Sequence, residues 1–334
     1  MDNNNKHIDS WLFVALLFIS TITVGLFFKN GANVPLSVIP IIAGLIAFFL
    51  WSLVHKRPIV EMYSKAYPYR KLKLWGGILA VLFFEYTLFC GLNTKQLQLT
   101  DQHLYSIIAV FAGAIAFYFA FIRMKVSLRY LFLGVSIPIF AAGCSMGMGR
   151  YFGFINFSSP AENVIKTVII NTSYWIVFSI LYQLVCEEAA FRGFLMQRLI
   201  SSKDKRARAV ILSSLVFALW HITIGVFKGM NVAQGLVSFA ENFVIGCFLA
   251  LLFLKGKNLL ISAISYGIIT GLKISMLASG KYLGLSEYFS ITTTASELKF
   301  ILLWLGCLLM GVILVLTIPE KKRPAVVYYR GKLE

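Results

Sequence analysis

Leu184-Val-Cys-Glu-Glu-Ala-Ala-Phe-Arg-Gly193 is the stretch on which the reading of the whole chain turns. It follows an apolar run that begins at Val164 and leads straight into a further apolar turn, Phe194-Leu-Met196. Two adjacent carboxylates and an arginine therefore stand where hydrocarbon is the expected surrounding. A charge at mid-membrane costs about 2.5–3.5 kcal/mol on insertion scales, so such residues are rare, face a protein interior or cavity, and point to function. Glu188 and Arg192 are four apart and share one helix face, where they can pair. Two readings stand at this point: an ion pair that only fixes helix packing, or a chemical centre. One more titratable group inside an apolar span, His221, favours chemistry.

The composition agrees with a membrane setting. The chain has 334 residues, is 59% hydrophobic and 13% charged, and has a mean hydropathy of +0.79. A soluble domain of that make-up could not cover its surface, so the expected fold class is an all-α, polytopic transmembrane bundle. A formal charge of +17 would suit nucleic acid, but the basic residues lie in short links between apolar runs. That is a topology signal, and nucleic-acid binding is excluded on it. The five cysteines all fall inside apolar runs without CxxC spacing and read as small core residues. No cleavable signal peptide is expected, since residues 11–28 are long enough to span and no A-x-A site follows.

At roughly 20 residues per span, the expected spans are 11–28, 34–54, 75–92, 104–122, 130–149, 164–186, 208–227, 233–254, 258–278 and 298–317, about ten helices. The sixth is expected to run on, as one long or broken helix, to about Ile200. With both termini inside, the cytoplasmic segments carry 22 Lys and Arg and the opposite links carry 6, which supports an N-in, C-in orientation. The expected division is 1–150 as N-terminal transmembrane helices, 151–280 as the functional core, and 281–334 as a last helix with a basic cytoplasmic tail. The aromatic stretch 152–160 is expected in the outer interface. Glu85 is read as a structural polar group that pairs with Lys273 or a tyrosine.

Spacing then brings polar groups together. Glu188 lies 13 residues before Ser201 and His221 lies 14 after Ala207, on either side of the short hairpin 201–207. At a rise of 1.5 Å per residue both sit about 20 Å from that hairpin, level with each other in an antiparallel pair. A carboxylate and an imidazole at one depth in a cavity suit activation of water. The protonation of the carboxylate would be set by competition between desolvation, its like-charged neighbour and Arg192. Glu188 or Glu187 would be the general base, with His221 orienting the water or helping to hold a metal. The cavity is expected to open to the cytoplasm.

Glu187-Glu-Ala-Ala-Phe-Arg-Gly193 followed by Phe217-Ala-Leu-Trp-His221 resembles the first two motifs, EExxxR and FxxxH, of the CPBP family of CAAX proteases and bacteriocin-processing (Abi) proteins. The resemblance covers roughly residues 164–275. It implies an intramembrane endopeptidase whose glutamates and histidines activate water, with or without zinc, on a membrane-associated peptide or protein. It also leaves room for family members that act as immunity proteins, scaffolds or partners of cell-envelope enzymes. The third family motif, HxxxN, is altered: Tyr266 stands at the histidine and Thr270 at the asparagine. Both can donate hydrogen bonds and would form the oxyanion side, but they replace imidazole poorly as metal ligands. A divalent ion such as zinc would then rest on Glu188 and His221 alone. Asn242, after Glu241, is a further polar group that would compensate. Transport is a weaker reading, for no inverted repeat is visible. The usage of Asn, Lys, Ile and Phe resembles that of a low-GC Gram-positive bacterium, which would place the chain in a bacterial plasma membrane.

Overall fold

The computed structural model describes residues 3–29, 39–54, 127–157, 179–200, 206–227, 229–277, 289–291 and 294–319, with residues 165, 168–169, 172–173 and 175–176 between them. The expected spans 75–92 and 104–122, and with them Glu85, lie outside the described residues. In chain order the elements are α1 (Asn3–Lys29), α2 (Ile39–Val54), α3 (Leu128–Tyr151), β1 (Ile155–Phe157), a π-helix (Ser179–Met196) continued by one short α-helical turn (Gln197–Leu199), α4 (Arg206–Phe227), α5 (Val232–Gly256), α6 (Leu259–Leu277), β2 (Phe289–Ile291) and α7 (Thr294–Thr317). Four of the described helices are long and apolar enough to cross a membrane: Leu128–Tyr151, Arg206–Phe227, Val232–Gly256 and Ser296–Thr317.

The all-α expectation holds except for one antiparallel β pair, in which Ile155 faces Ile291 and Phe157 faces Phe289. It falls in the aromatic stretch that the sequence assigns to the outer interface. The helix carrying the Glu-Glu pair does run on as expected, ending at Ile200, whose backbone is extended.

Local chemistry sets the ends of α5 and α6. Asn231 caps α5 by accepting from Gln234 N at 2.9 Å, while the Gln234 side chain accepts from Asn231 N at 2.8 Å. This capping box satisfies donors that a helix start leaves open. At the other end Lys257 adopts a left-handed backbone (φ 53). Asn258 follows at once, its side chain accepting from Leu260 N at 2.8 Å. A two-residue turn therefore joins α5 and α6 as an antiparallel hairpin, and Ser262 donates across it to Leu249 O at 3.1 Å.

Close approach of α4 and α5 depends on Gly246, where an added Cβ would stand 3.1 Å from the Ser214 Cα. Gly267 on α6 is tighter still, 2.6 Å from backbone atoms of Trp175 and Ile176. The last helix is held from its C-terminal end: Lys255 Nζ donates to Val315 O, Leu316 O and Ile318 O at 2.5–2.9 Å. A lysine there meets the carbonyls that a helix end leaves unpaired.

Candidate functional site

In the π-helix, hydrogen bonds run i→i+5, a geometry usually confined to single-turn bulges and frequent at functional sites. Here it extends over 18 residues. In so wide a turn, the neighbours one turn back from a residue are four and five positions away. Arg192 therefore lies one turn from both glutamates, and it takes one of them. Its Nη1 donates to Glu188 Oε1 at 3.0 Å, with both side chains buried, 1% and 0% exposed. Nη2 reaches Gly246 O on α5 at 3.3 Å. The guanidinium also lies 4.3 Å over the Phe217 ring of α4, a cation–π contact in a desolvated setting. Glu188 Oε2 is buried and hydrogen-bonds no described residue.

Glu187 turns the other way. Its Oε2 stands 3.9 Å from His221 Nε2. The Glu-Glu pair and the histidine thus meet as their depths require, through Glu187 and not through Glu188. The imidazole is held at both nitrogens: Nδ1 is 3.0 Å from Phe217 O and Nε2 is 3.0 Å from the Tyr266 hydroxyl. A carbonyl only accepts, so Nδ1–H is the donor to Phe217 O. In the neutral ring Nε2 then accepts, and the Tyr266 O–H donates to it. Phe217 packs on the His221 ring at 4.3 Å and Trp220 meets it edge-on at 5.3 Å. Tyr266 is 7% exposed.

Of the residues singled out in the sequence, Glu187, Glu188, Arg192, His221 and Tyr266 form one cluster. Thr270 lies one turn beyond Tyr266 on α6 and is half-buried. Asn242 is turned back on its own helix, donating to Ser238 O at 2.8 Å and Ser238 Oγ at 3.1 Å. Its neighbour Glu241 instead bonds Lys273 on α6.

At the starts of α4 and α6, Ala209, Val210, Leu259, Leu260 and Ile261 are all buried. Exposure returns towards the other ends of α4 and α6, where the His221 side chain is 17% exposed and that of Lys273 is 27%.

Zinc fits this donor set poorly. Among the described residues no group of three or more His, Cys, Asp or Glu side chains is placed to hold a metal ion. Glu188 is committed to Arg192, and the single histidine has both nitrogens in hydrogen bonds.

The family model described as Type II CAAX prenyl endopeptidase Rce1-like matches residues 169–272. This segment is similar to that family and is called the Rce1-like domain below. It contains Glu187, Glu188, Arg192, His221, Tyr266 and Thr270, and it stops one residue short of Lys273. No curated protein and no solved structure matches the chain. Helices outside the Rce1-like domain nevertheless complete its core. Phe13 of α1 and Trp51 of α2 pack against Phe194 at 4.7 and 5.2 Å. Trp220 Nε1 donates to Thr21 Oγ1 of α1 at 2.8 Å.

The residue that sequence reasoning missed is Glu241. The only signal was a glutamate inside an apolar span, and its neighbour Asn242 drew the attention.

Proposed function

We propose that this protein is an intramembrane endopeptidase in which Glu187 is the general base. The observation that carries the reading is the division of labour between the two glutamates. Arg192 pairs with Glu188, and Glu187 faces His221. The 3.9 Å between Glu187 Oε2 and His221 Nε2 exceeds a hydrogen bond, and polar groups so separated are commonly bridged by water. In the proposed reaction Glu187 takes a proton from such a water as it attacks a peptide carbonyl. His221 holds the water, takes that proton on from Glu187 at Nε2 once the Tyr266 hydroxyl has turned away, and delivers it to the leaving amine. Tyr266 fixes the ring and, turning from it, donates to the oxyanion, with Thr270 beside it. The Glu188–Arg192 pair supports this centre by setting the local charge and the helix packing. No step passes through a metal.

The substrate class is a membrane-associated peptide or protein. The setting we propose is a bacterial plasma membrane, with about ten spans and both termini inside.

A second reading has its own support. Tyr266 occupies the Nε2 face of His221, at the position where the family motif has a histidine. A member that has lost catalysis and serves as a scaffold, immunity protein or cell-envelope partner would keep that contact as a packing element. The two readings part on one comparison. Membranes carrying the protein, Glu187→Gln or Glu188→Gln would be searched by mass spectrometry for new peptide termini. Termini present with the unaltered protein and lost, by about 10²- to 10⁴-fold, with Glu187→Gln support the peptidase. Identical peptide profiles for all three would leave the scaffold reading standing.

A further inference from the structure

Gln183 and Ser179 stand one and two turns before Glu187 in the π-helix, and the reaction proposed above makes no use of them. Each step is four residues, so the three side chains share one stripe, and all three are buried. Seven residues further back the same stripe reaches Thr172, which is half-buried beside an exposed Ser173. Gln183 Oε1 and the hydroxyl oxygens of Ser179 and Thr172 are buried and hydrogen-bond no described residue. Polar side chains elsewhere in the apolar helices settle on their own backbone. Thr21 and Ser265 donate to Leu17 O and Ile261 O at 2.7 Å, and Asn242 donates to Ser238 O. The stripe residues make no such bond. A buried polar group left without a partner costs about 1–3 kcal/mol, and here that cost recurs along one line that ends at Glu187.

We propose that Thr172, Ser179 and Gln183 hold a file of water that runs from the N-terminal end of this helix to Glu187. Successive groups from Ser179 to Glu187 are about one turn, or about 5 Å, apart. That is close to the length of two hydrogen bonds of about 2.8 Å each, so one water bridges each neighbouring pair. A buried water needs two to four polar partners, and the stripe supplies them in sequence. Gln183 is the positioning residue for the water that Glu187 activates, because a carboxamide accepts from one water and donates to the next. Hydrolysis consumes one water for each bond cleaved. An apolar substrate lying over the partly exposed His221 would close that side of the site, and the file then supplies water from behind it.

The proposal rests on the peptidase reading for its purpose but is tested on water itself. The full chain, labelled with ¹³C and ¹⁵N in glutamine and glutamate, would be placed in liposomes for solid-state NMR. Magnetisation would be passed from water protons to the Gln183 side-chain amide and to the Glu187 carboxyl carbon, each assigned by its loss in Gln183→Leu or Glu187→Gln. Transfer to both groups is expected in the unaltered protein. Transfer to Glu187 should be lost in Gln183→Leu, which keeps the bulk of the side chain without its polar atoms. It should also be lost in Ser179→Ala and retained in Ser179→Thr, a comparison that stands if Gln183→Leu fails to insert. No transfer to the Gln183 amide overturns the proposal. So does transfer to Glu187 that is undiminished in Gln183→Leu and Ser179→Ala, for water would then enter past His221. The expected transfers without any new peptide termini from the unaltered protein would instead sink the peptidase reading and leave the water file.

Discussion

At the scale of single residues, the two adjacent glutamates have different partners and so different consequences when altered. Arg192→Leu leaves Glu188 without its cation in a fully buried position, and removing one partner of a buried pair costs about 3–5 kcal/mol. The double change Glu188→Leu with Arg192→Leu removes both charges and should recover most of that loss. Unfolding of each variant in mixed micelles checks this; a double variant no more stable than Arg192→Leu would mean that the charge pair is not the cause. Tyr266→Phe deletes the hydroxyl that donates to His221 Nε2 while keeping the ring. In the proposed reaction it should leave the fold intact and lower turnover about a hundredfold. An unchanged rate would remove Tyr266 from the mechanism. The pairing of Glu188 with Arg192 was legible in the sequence, because four-residue spacing is short-range information. That Glu187 would be the glutamate facing His221 was not legible, because it depends on the wide turn of the π-helix, which ordinary helical periodicity does not encode.

At the scale of elements, the helices are fastened by contacts that periodicity cannot predict. Lys255 serves three carbonyls at the end of α7. Lys255→Met keeps the length of the side chain and loses those bonds, so it should destabilise the bundle by about 1.5–3 kcal/mol. Hydrogen exchange at the end of α7 should rise first, and unchanged protection there would show the contact to be idle. Gly246→Ala places a methyl against Ser214, and an overpacked core of this kind costs about 1–3 kcal/mol. A thermal scan that matched the unaltered protein would show that α4 and α5 can separate without loss. The sequence located most of these helices to within a few residues, because uninterrupted apolar runs and their polar links are strong signals. It did not show the β pair, whose strands are three residues each and lie more than a hundred positions apart.

At the scale of the whole molecule, α1 and α2 precede the Rce1-like domain by more than a hundred residues and still line its core. The link is concrete: Trp220, next to His221, donates to Thr21 on α1, and the Thr21 hydroxyl donates on to Leu17 O at 2.7 Å. Thr21→Val should leave a buried indole N–H without its acceptor, at about 1–3 kcal/mol. It should also lower the thermal midpoint more than Thr21→Ser does, and equal midpoints would show the contact to be dispensable. Such long-range docking was invisible in the sequence, where Thr21 is one hydroxyl among many in an apolar run.

The Glu188–Arg192 pair lies within one helix, whereas Glu241 and Lys273 belong to two. The difference bears on how the chain enters the bilayer during synthesis. The first pair can close as soon as its own helix forms, so that segment brings its counter-charge with it and needs no neighbour to become nearly neutral. Glu241 reaches the membrane ahead of its lysine and stays uncompensated until α6 has emerged and folded back across the two-residue turn. Between the insertion of α5 and that of α6 a carboxylate therefore waits for its partner, and the hairpin joining the two helices shortens that interval.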